Sequence, residues 1–408
     1  MKADLLITGI SQLVTARGQG PKHGGAMREL EIVLDASIAI TGGRIAWTGR
    51  YVDWDGQASA TFDVEGRAVV PALTDPHTHA VWAGDRLADF DARTSGKSYE
   101  DILRAGGGIR SSIRATAGAA QEDLIRLAAP RICSLLHSGA TTIEVKSGYG
   151  FSASAEIAML EAIQMLRTVT PAQLLSTLLI HIPPSDTAER AQYVVNTCKN
   201  LIPEVARRKL ASAVDVFVEQ EAWHVEEAAQ ILECAKRHGL NIKLHTEQFQ
   251  RVGGLELGVQ LGALSADHLE ACAPQQFALL ASSSTIATIL PGVSLHLGIP
   301  AAPGRQLVDA GVAVAVGTDL NPGSSPLFST VAALALAVRL NGLTAAEALV
   351  AGTVNAACAV GLKDAGQLEV GLYADFLVLE GSDWRELVYT LGANPVRGVW
   401  VHGQRVAP

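Results

Sequence analysis

The chain has 408 residues, of which 48% are hydrophobic, 18% charged and 5% aromatic, with a formal net charge of −9. That length suits one large barrel plus a smaller partner. An acidic balance without a basic stripe argues against a nucleic-acid partner. Five cysteines, at 133, 198, 234, 272 and 358, form no C-x-x-C pair. They read as reduced thiols, not as a disulfide framework or thiolate metal site. The N-terminus turns polar too quickly for a signal peptide, and no run approaches the ~18 apolar residues of a membrane helix. The expectation is a cytoplasmic protein with no membrane partner.

Taken in order, residues 1–66 read as short strands: DLLITGI, SIAITGG, RIAWTG and ATFDVEG, punctuated by Gly and Asp. Residues 363–408 read the same way, as GQLEVG, ADFLVLE and VRGVWVHGQRV. Neither end suffices for a sound sheet, so the two are expected to combine into one small β-sandwich domain. Between them, over 67–362, apolar β-branched runs alternate with helical patterns such as VEEAAQILECAKRHG and TAAEALVAGTVNAACAVG. The runs are AVVPALTDPHTH, TTIEVKSGYG, LLSTLLIH, AVDVFVE, NIKLHTE, LSADHLE, TIATILPG and VAVAVGTDLNPG. Eight strands alternating with helices predict an α/β fold, a (β/α)8 TIM-like barrel. An open nucleotide-binding sheet would want a Gly-rich turn after its first strand, where this chain has His-Thr-His. The glycines at 106–108 read as a loop.

A barrel carries its active site at the C-terminal ends of its strands. Here the runs end in His77 and His79, then Tyr149, His181, Glu219, His245 with Glu247 and Gln248, His268, and Asp319 with Asn321. His77 and His79, two apart, share one face of a strand and can chelate a metal. Asp319, ending an apolar strand, needs a partner to offset its burial. Three His and one Asp leave a position for water, as in a catalytic site. His268 is expected near the metal without binding it, donating to the oxygen that becomes negative during attack. Lys146 is read as salt-bridged in preference to a carboxylated lysine bridging two metals. His23, His137, His224, His238 and His402 are expected at the surface. His296 could face the pocket.

These motifs resemble the amidohydrolase superfamily, from about residue 66 to the C-terminus. DPHTH marks the superfamily. AGDR, AGGGI, VDVFVE, SADHLE and above all KSGYG with TDLNPGSSP resemble its branch that opens an imidazolone ring. The resemblance implies hydrolysis of the ring amide C–N bond of 4-imidazolone-5-propanoate to N-formimidoyl-L-glutamate by metal-activated water. It implies one Zn2+ or Fe per subunit on His77, His79, His245 and Asp319. Arg86 would meet the propionate of a small anionic heterocycle, with Tyr99, Tyr149 and His181 in the same pocket. Gln248, Asn321, Gly323 and Ser324 would touch the substrate. Asp319 would carry a proton from water to the leaving nitrogen, with His268 as its catalytic companion. A homodimer is a common outcome for such a chain. The segment TLLIHIPPSD departs from the family pattern on both sides of His181, and Gln248 stands where some relatives carry Glu. A related cyclic-amide hydrolase or deaminase acting on a different imidazolone- or hydantoin-like propionate is the alternative enzyme. A metal-binding barrel without activity is the alternative outside enzymes.

Overall fold

The computed structural model describes residues 1–408 except 19, 98–100, 102–104 and 408, so Tyr99 lies outside the described residues. Five strands open the chain: β1 (Lys2–Val14), β2 (Ile32–Thr41), β3 (Arg44–Arg50), β4 (Gln57–Asp63) and β5 (Val69–Pro71). Eight follow: β6 (Leu73–Asp75), β7 (Ala140–Lys146), β8 (Gln173–Ile180), β9 (Ala213–Val218), β10 (Asn241–Thr246), β11 (Ser265–His268), β12 (Ile286–Ile289) and β13 (Val314–Val316). Three close it: β14 (Phe376–Leu379), β15 (Val396–Val401) and β16 (Gln404–Ala407).

Strands β6 to β13 pair in sequence order, every pair parallel, with helices between them. Strands covered on both faces read as near-continuous apolar runs, and all of β7 is buried. Local chemistry starts the helices. Asp186 accepts the N–H groups of Ala188 and Glu189, and Thr344 and Glu347 form a reciprocal capping box. The barrel closes just past β6 and β13, where Thr78 bridges Leu320. There the His79 N–H donates to the Leu320 carbonyl and the Asp319 N–H to the His77 carbonyl, both at 2.9 Å. His77 and His79 thus stand on the extended segment after β6, one step beyond the strand expected to carry them.

The chain ends share one hydrogen-bonded sheet, ordered β16-β15-β14-β5-β1-β2-β3, with β4 also on β1. It curls over its own core, bringing the Phe62 ring of β4 to 5.1 Å from Trp400 of β15. Ile7, Ile10, Ile38, Val64 and Phe376 fill the space beneath. Two local readings change. Val69–Pro71, expected to begin the barrel, pairs with β1 and β14 in the end sheet. An unbroken apolar run cannot tell which sheet it joins. GQLEVG is not a strand; Leu368 is buried and its N–H donates to the Thr15 carbonyl. Among the described residues, no helix is long and apolar enough to cross a membrane.

Candidate active site

Four side chains from the barrel's strand ends converge. Nitrogens of His77, His79 and His245 lie within 4.8 Å of one another. Asp319 Oδ1 is 3.1 Å from His79 Nε2 and 3.3 Å from His77 Nε2. His245 Nε2 faces His79 Nε2 at 3.4 Å. Tautomers explain the approach. His77 Nδ1 meets Asp267 Oδ2 at 2.6 Å, and His245 Nδ1 meets Asp215 Oδ1 at 3.0 Å. With Nδ1–H donated to a carboxylate, each ring turns the Nε2 lone pair toward the common point. Burial above all holds the His245 pKa well below its ordinary value, so that its lone pair stays free. Burial opposes ionisation of Asp319, but the His77 and His79 imidazoles hold its carboxyl well below the usual range. Asp319 itself adopts φ 51°, a left-handed backbone that costs energy in a non-glycine residue.

This donor set fits a divalent cation. His77 Nε2 and Asp319 Oδ1 are buried with no hydrogen-bond partner. Three imidazoles and one carboxylate are ligands of the kind that zinc and ferrous iron accept. Charge points the same way. Below the site, Lys146 Nζ lies 2.8 Å from Glu144 Oε2 and 2.7 Å from Asp215 Oδ2. Lys243 Nζ lies 2.9 Å from Glu144 Oε2, and both ammoniums are 3.6 Å from Asp267 Oδ2. Two lysines therefore face Glu144, Asp215, Asp267 and, above them, Asp319, a surplus of two negative charges. The His77, Glu144 and Asp267 group also has metal-ligand geometry. The two lysines already fill it with positive charge, and Lys146 is ion-paired as expected. Asp75, pushed up to about 6 by burial, accepts from the Thr318 N–H and hydroxyl and, at 3.4 Å, from the His77 N–H.

Above the four donors opens a cavity of about 1290 Å³. His79, Tyr149, His181, His245, Gln248, His268, Asp319, Asn321, Gly323, Ser324 and Arg86 all line it. Tyr149 is held by its loop. Glu156 accepts the N–H groups of Gly148, Gly150 and Phe151 at 2.7–2.9 Å. Gly148 has φ +108°, and a Cβ there would lie 2.7 Å from Leu179 Cδ2, so KSGYG tolerates only glycine at this position. His181 stacks 5.7 Å from His79 and lies 5.6 Å from Tyr149, despite its divergent flanks. Burial lowers its pKa to about 3, which makes it a neutral ring. Asn321 spends its amide on Asp319 Oδ2, the Ser324 hydroxyl and the backbone of Gly323 and Ser324. It braces the loop and the outer oxygen of Asp319. Arg86 pairs with Asp89, which also accepts the Gly108 N–H. A Cβ at Gly323 would meet Arg86 Nη1 at 3.2 Å, so the loop packs against the guanidinium.

His268 has φ +87° and Leu269 φ +67°, and this tight turn returns the buried Glu270 to 3.4 Å from His268 Nδ1. Glu247 is buried and does not line the cavity; desolvation, then Glu256, push it up to about 7. His296 faces the cavity, while His137, His224, His238 and His402 are exposed and His23 is half-buried. The sequence reading missed Glu144, Asp215, Lys243, Asp267 and Glu270. Its available signal was a charge at alternate positions within apolar runs: Glu144 with Lys146, Lys243 with His245, Asp215 within VDVFV.

Residues 68–406 match the model of the amidohydrolase family. Curated proteins called imidazolonepropionase from Deinococcus deserti and Deinococcus radiodurans are 60% and 57% identical, over 99% of this chain and 100% of each relative. One from Chloroflexus aggregans is 42% identical over 99% of this chain and 98% of its own length. Among solved structures, guanine deaminase of E. coli superposes with a TM-score of 0.73 at 16% identity, covering 98% of both chains. A zinc-bound adenosine deaminase from Xanthomonas campestris gives 0.72 at 18% identity, covering 99% and 93%. At such identities the solved structures share the fold alone.

Proposed function

The chain belongs to the amidohydrolase family, and from that premise we propose that it hydrolyses the ring C–N bond of 4-imidazolone-5-propanoate, giving N-formimidoyl-L-glutamate. The relatives' shared name supplies the substrate. The observation that carries the reading to this chain is a three-His, one-Asp donor set at the floor of a cavity that Arg86 also lines.

His77, His79, His245 and Asp319 would hold one Zn2+ or Fe per subunit. When bound, that cation supplies the Lewis acidity that makes hydroxide available near neutral pH. The chain's own groups do the rest. Arg86 binds the propionate and points the ring inward. Tyr149 and Gln248 offer polar groups with no hydrogen bond to a described residue, and the neutral His181 packs beside them. Asp319 takes a proton from the attacking water and delivers it to the leaving ring nitrogen. Asn321 and Ser324 fix its other oxygen, so that the shuttle has one orientation. His268 stabilises the oxygen that becomes negative. Five free cysteines suit a cytoplasmic setting.

Turnover of freshly generated imidazolone propionate by metal-replete protein tests the assignment. Ring opening to formimidoylglutamate is expected. Turnover of a hydantoin propionate with none of the imidazolone would replace the substrate and keep the site.

A further inference from the structure

Arg131 lies on the helix Gln121–His137 and reaches the segment that follows His79. Its Nη1 donates to the carbonyls of Ala80 and Trp82 at 3.0 and 2.8 Å. The guanidinium carbon sits 3.2 Å from the Trp82 ring centroid, so the indole fixes its plane. Nη1 thereby spends its donors on backbone. Nε and Nη2 make no hydrogen bond to any described residue, and the side chain lines the same cavity as the donor set.

Arg131 differs from Arg86 in one respect. Arg86 and Asp89 form an ion pair. Among the described residues, no carboxylate lies within 4.0 Å of Arg131. A half-buried guanidinium without an anion is an unfavourable arrangement unless a ligand completes it. Burial pulls its pKa down to about 10, with Tyr149 the one opposing influence. Burial and then Asp319 push the Tyr149 phenol up, and Arg86 and Arg131, which line the same cavity, both oppose that shift.

We propose that Arg131 is the second cation of the carboxylate site: the propionate is held by Arg131 as well as Arg86, next to the Tyr149 hydroxyl. Arg86 closes the site from the loop and Arg131, braced on Trp82, forms its fixed wall. This rests on the reading that the substrate carries a carboxylate. Arg131 then sets specificity for the acid side chain and has no part in the bond-breaking step.

The test uses the metal-loaded full chain and two rings that cannot be hydrolysed, 3-(imidazol-4-yl)propionate and 4-methylimidazole, with Kd from calorimetry. In the unaltered protein the propionate should bind more tightly. Arg131→Gln should weaken the propionate by roughly 10- to 100-fold, the scale of a lost charge-assisted hydrogen bond, and change 4-methylimidazole less than about twofold. Arg131→Lys, which keeps a donor to the Ala80 and Trp82 carbonyls, should lose an intermediate amount and retain the fold. Equal weakening of both probes in both variants would reduce Arg131 to a brace for that segment and overturn the proposal. So would an undiminished preference for the propionate in Arg131→Gln alongside a lost preference in Arg86→Gln. No preference for the propionate in the unaltered protein would instead refute the carboxylate reading itself.

Discussion

Asp267→Asn separates the metal's support from the chemistry, because Asp267 touches no substrate. Its Oδ2 accepts from His77 Nδ1 at 2.6 Å and stands 3.6 Å from both Lys146 and Lys243 Nζ. At an effective dielectric of about 20, each ammonium at that distance contributes about 4–5 kcal/mol of attraction before desolvation. Burying the three charges cancels most of this, and breaking such a cluster typically costs about 3–5 kcal/mol. Asparagine keeps one acceptor for the Nδ1–H, so about 2–3 kcal/mol of stability should go in the metal-free protein. Metal affinity should fall as well. Without the carboxylate, His77 loses both basicity and a fixed ring plane, and outer partners of this kind are worth about 10–100-fold in affinity. The assay is competition with a chromophoric chelator on folded protein, with urea unfolding of the metal-free form alongside. Lower stability with metal affinity unchanged within about twofold would refute the reasoning. It would make Asp267 a counter-ion for the lysines only.

Asp319→Asn should lower kcat by orders of magnitude and weaken metal retention, since one residue would lose a charged ligand and a proton carrier; near-normal turnover would remove that role. His268→Ala should keep full metal content while kcat falls roughly 10²–10³-fold, and loss of metal would move His268 among the ligands. Glu270→Gln should lower kcat by less, and should have no effect once His268 is Ala; an additive double variant would disconnect the pair. Glu347 supports the fold at neutral pH and loses that role in acid. Burial would raise its pKa, but Arg305, the Thr344 N–H and Arg28 bring it from 4.5 to about 2. A carboxyl depressed on folding stabilises above its unfolded value and loses that contribution as pH falls from about 4.5 toward 2. With partly exposed arginine partners, it is worth about 2 kcal/mol at neutral pH, below the unscreened product of shift and 1.36 kcal/mol per unit. Glu347→Gln should lower the melting temperature at pH 7 and remove most of that difference near pH 2. An equal deficit at both pH values would contradict the linkage.

Much of this architecture was legible because its signals are local and repeated. Most barrel strands are short apolar runs, and the polar residue that follows several of them is also the one that faces the cavity, as at His181, His245 and Asp319. The alternation failed where two sheets meet. AVVPALTDP contains β5 of the end sheet and β6 of the barrel, and nothing in an apolar run marks the handover at Ala72. The four side chains that converge could be named from residue types and spacing, but the support beneath them depends on contacts across the barrel. His77 meets Asp267 at a separation of 190 residues and Lys243 meets Glu144 at 99, distances at which no pattern in the chain links the partners. Gln248 and Glu247 show the opposite case. The period-two reading names the right cavity residue for the wrong reason: β10 ends at Thr246, and the left-handed backbone of Glu247, at φ 56°, turns it behind the cavity that Gln248 lines.

The closure of the barrel and the construction of the site are one feature. Strands β6 and β13 share no ladder of their own; the seam between them is made by the backbone of His77, Thr78, His79, Asp319 and Leu320. Those same residues supply three of the four donor side chains. A register slip of one residue at this seam would turn Asp319 away from the imidazoles, so pairing selects the ligand geometry and ligand geometry selects the pairing. This also accounts for Asp319 keeping a left-handed backbone, a conformation an L residue holds only when its surroundings fix it. Asp75 below the seam ties it to Thr318 through two hydrogen bonds, at 3.1 and 2.6 Å. Asp319 at this last joint completes a buried carboxylate cluster whose other members, Glu144, Asp215 and Asp267, come from β7, β9 and β11, and a divalent cation held by the four donors would offset the surplus.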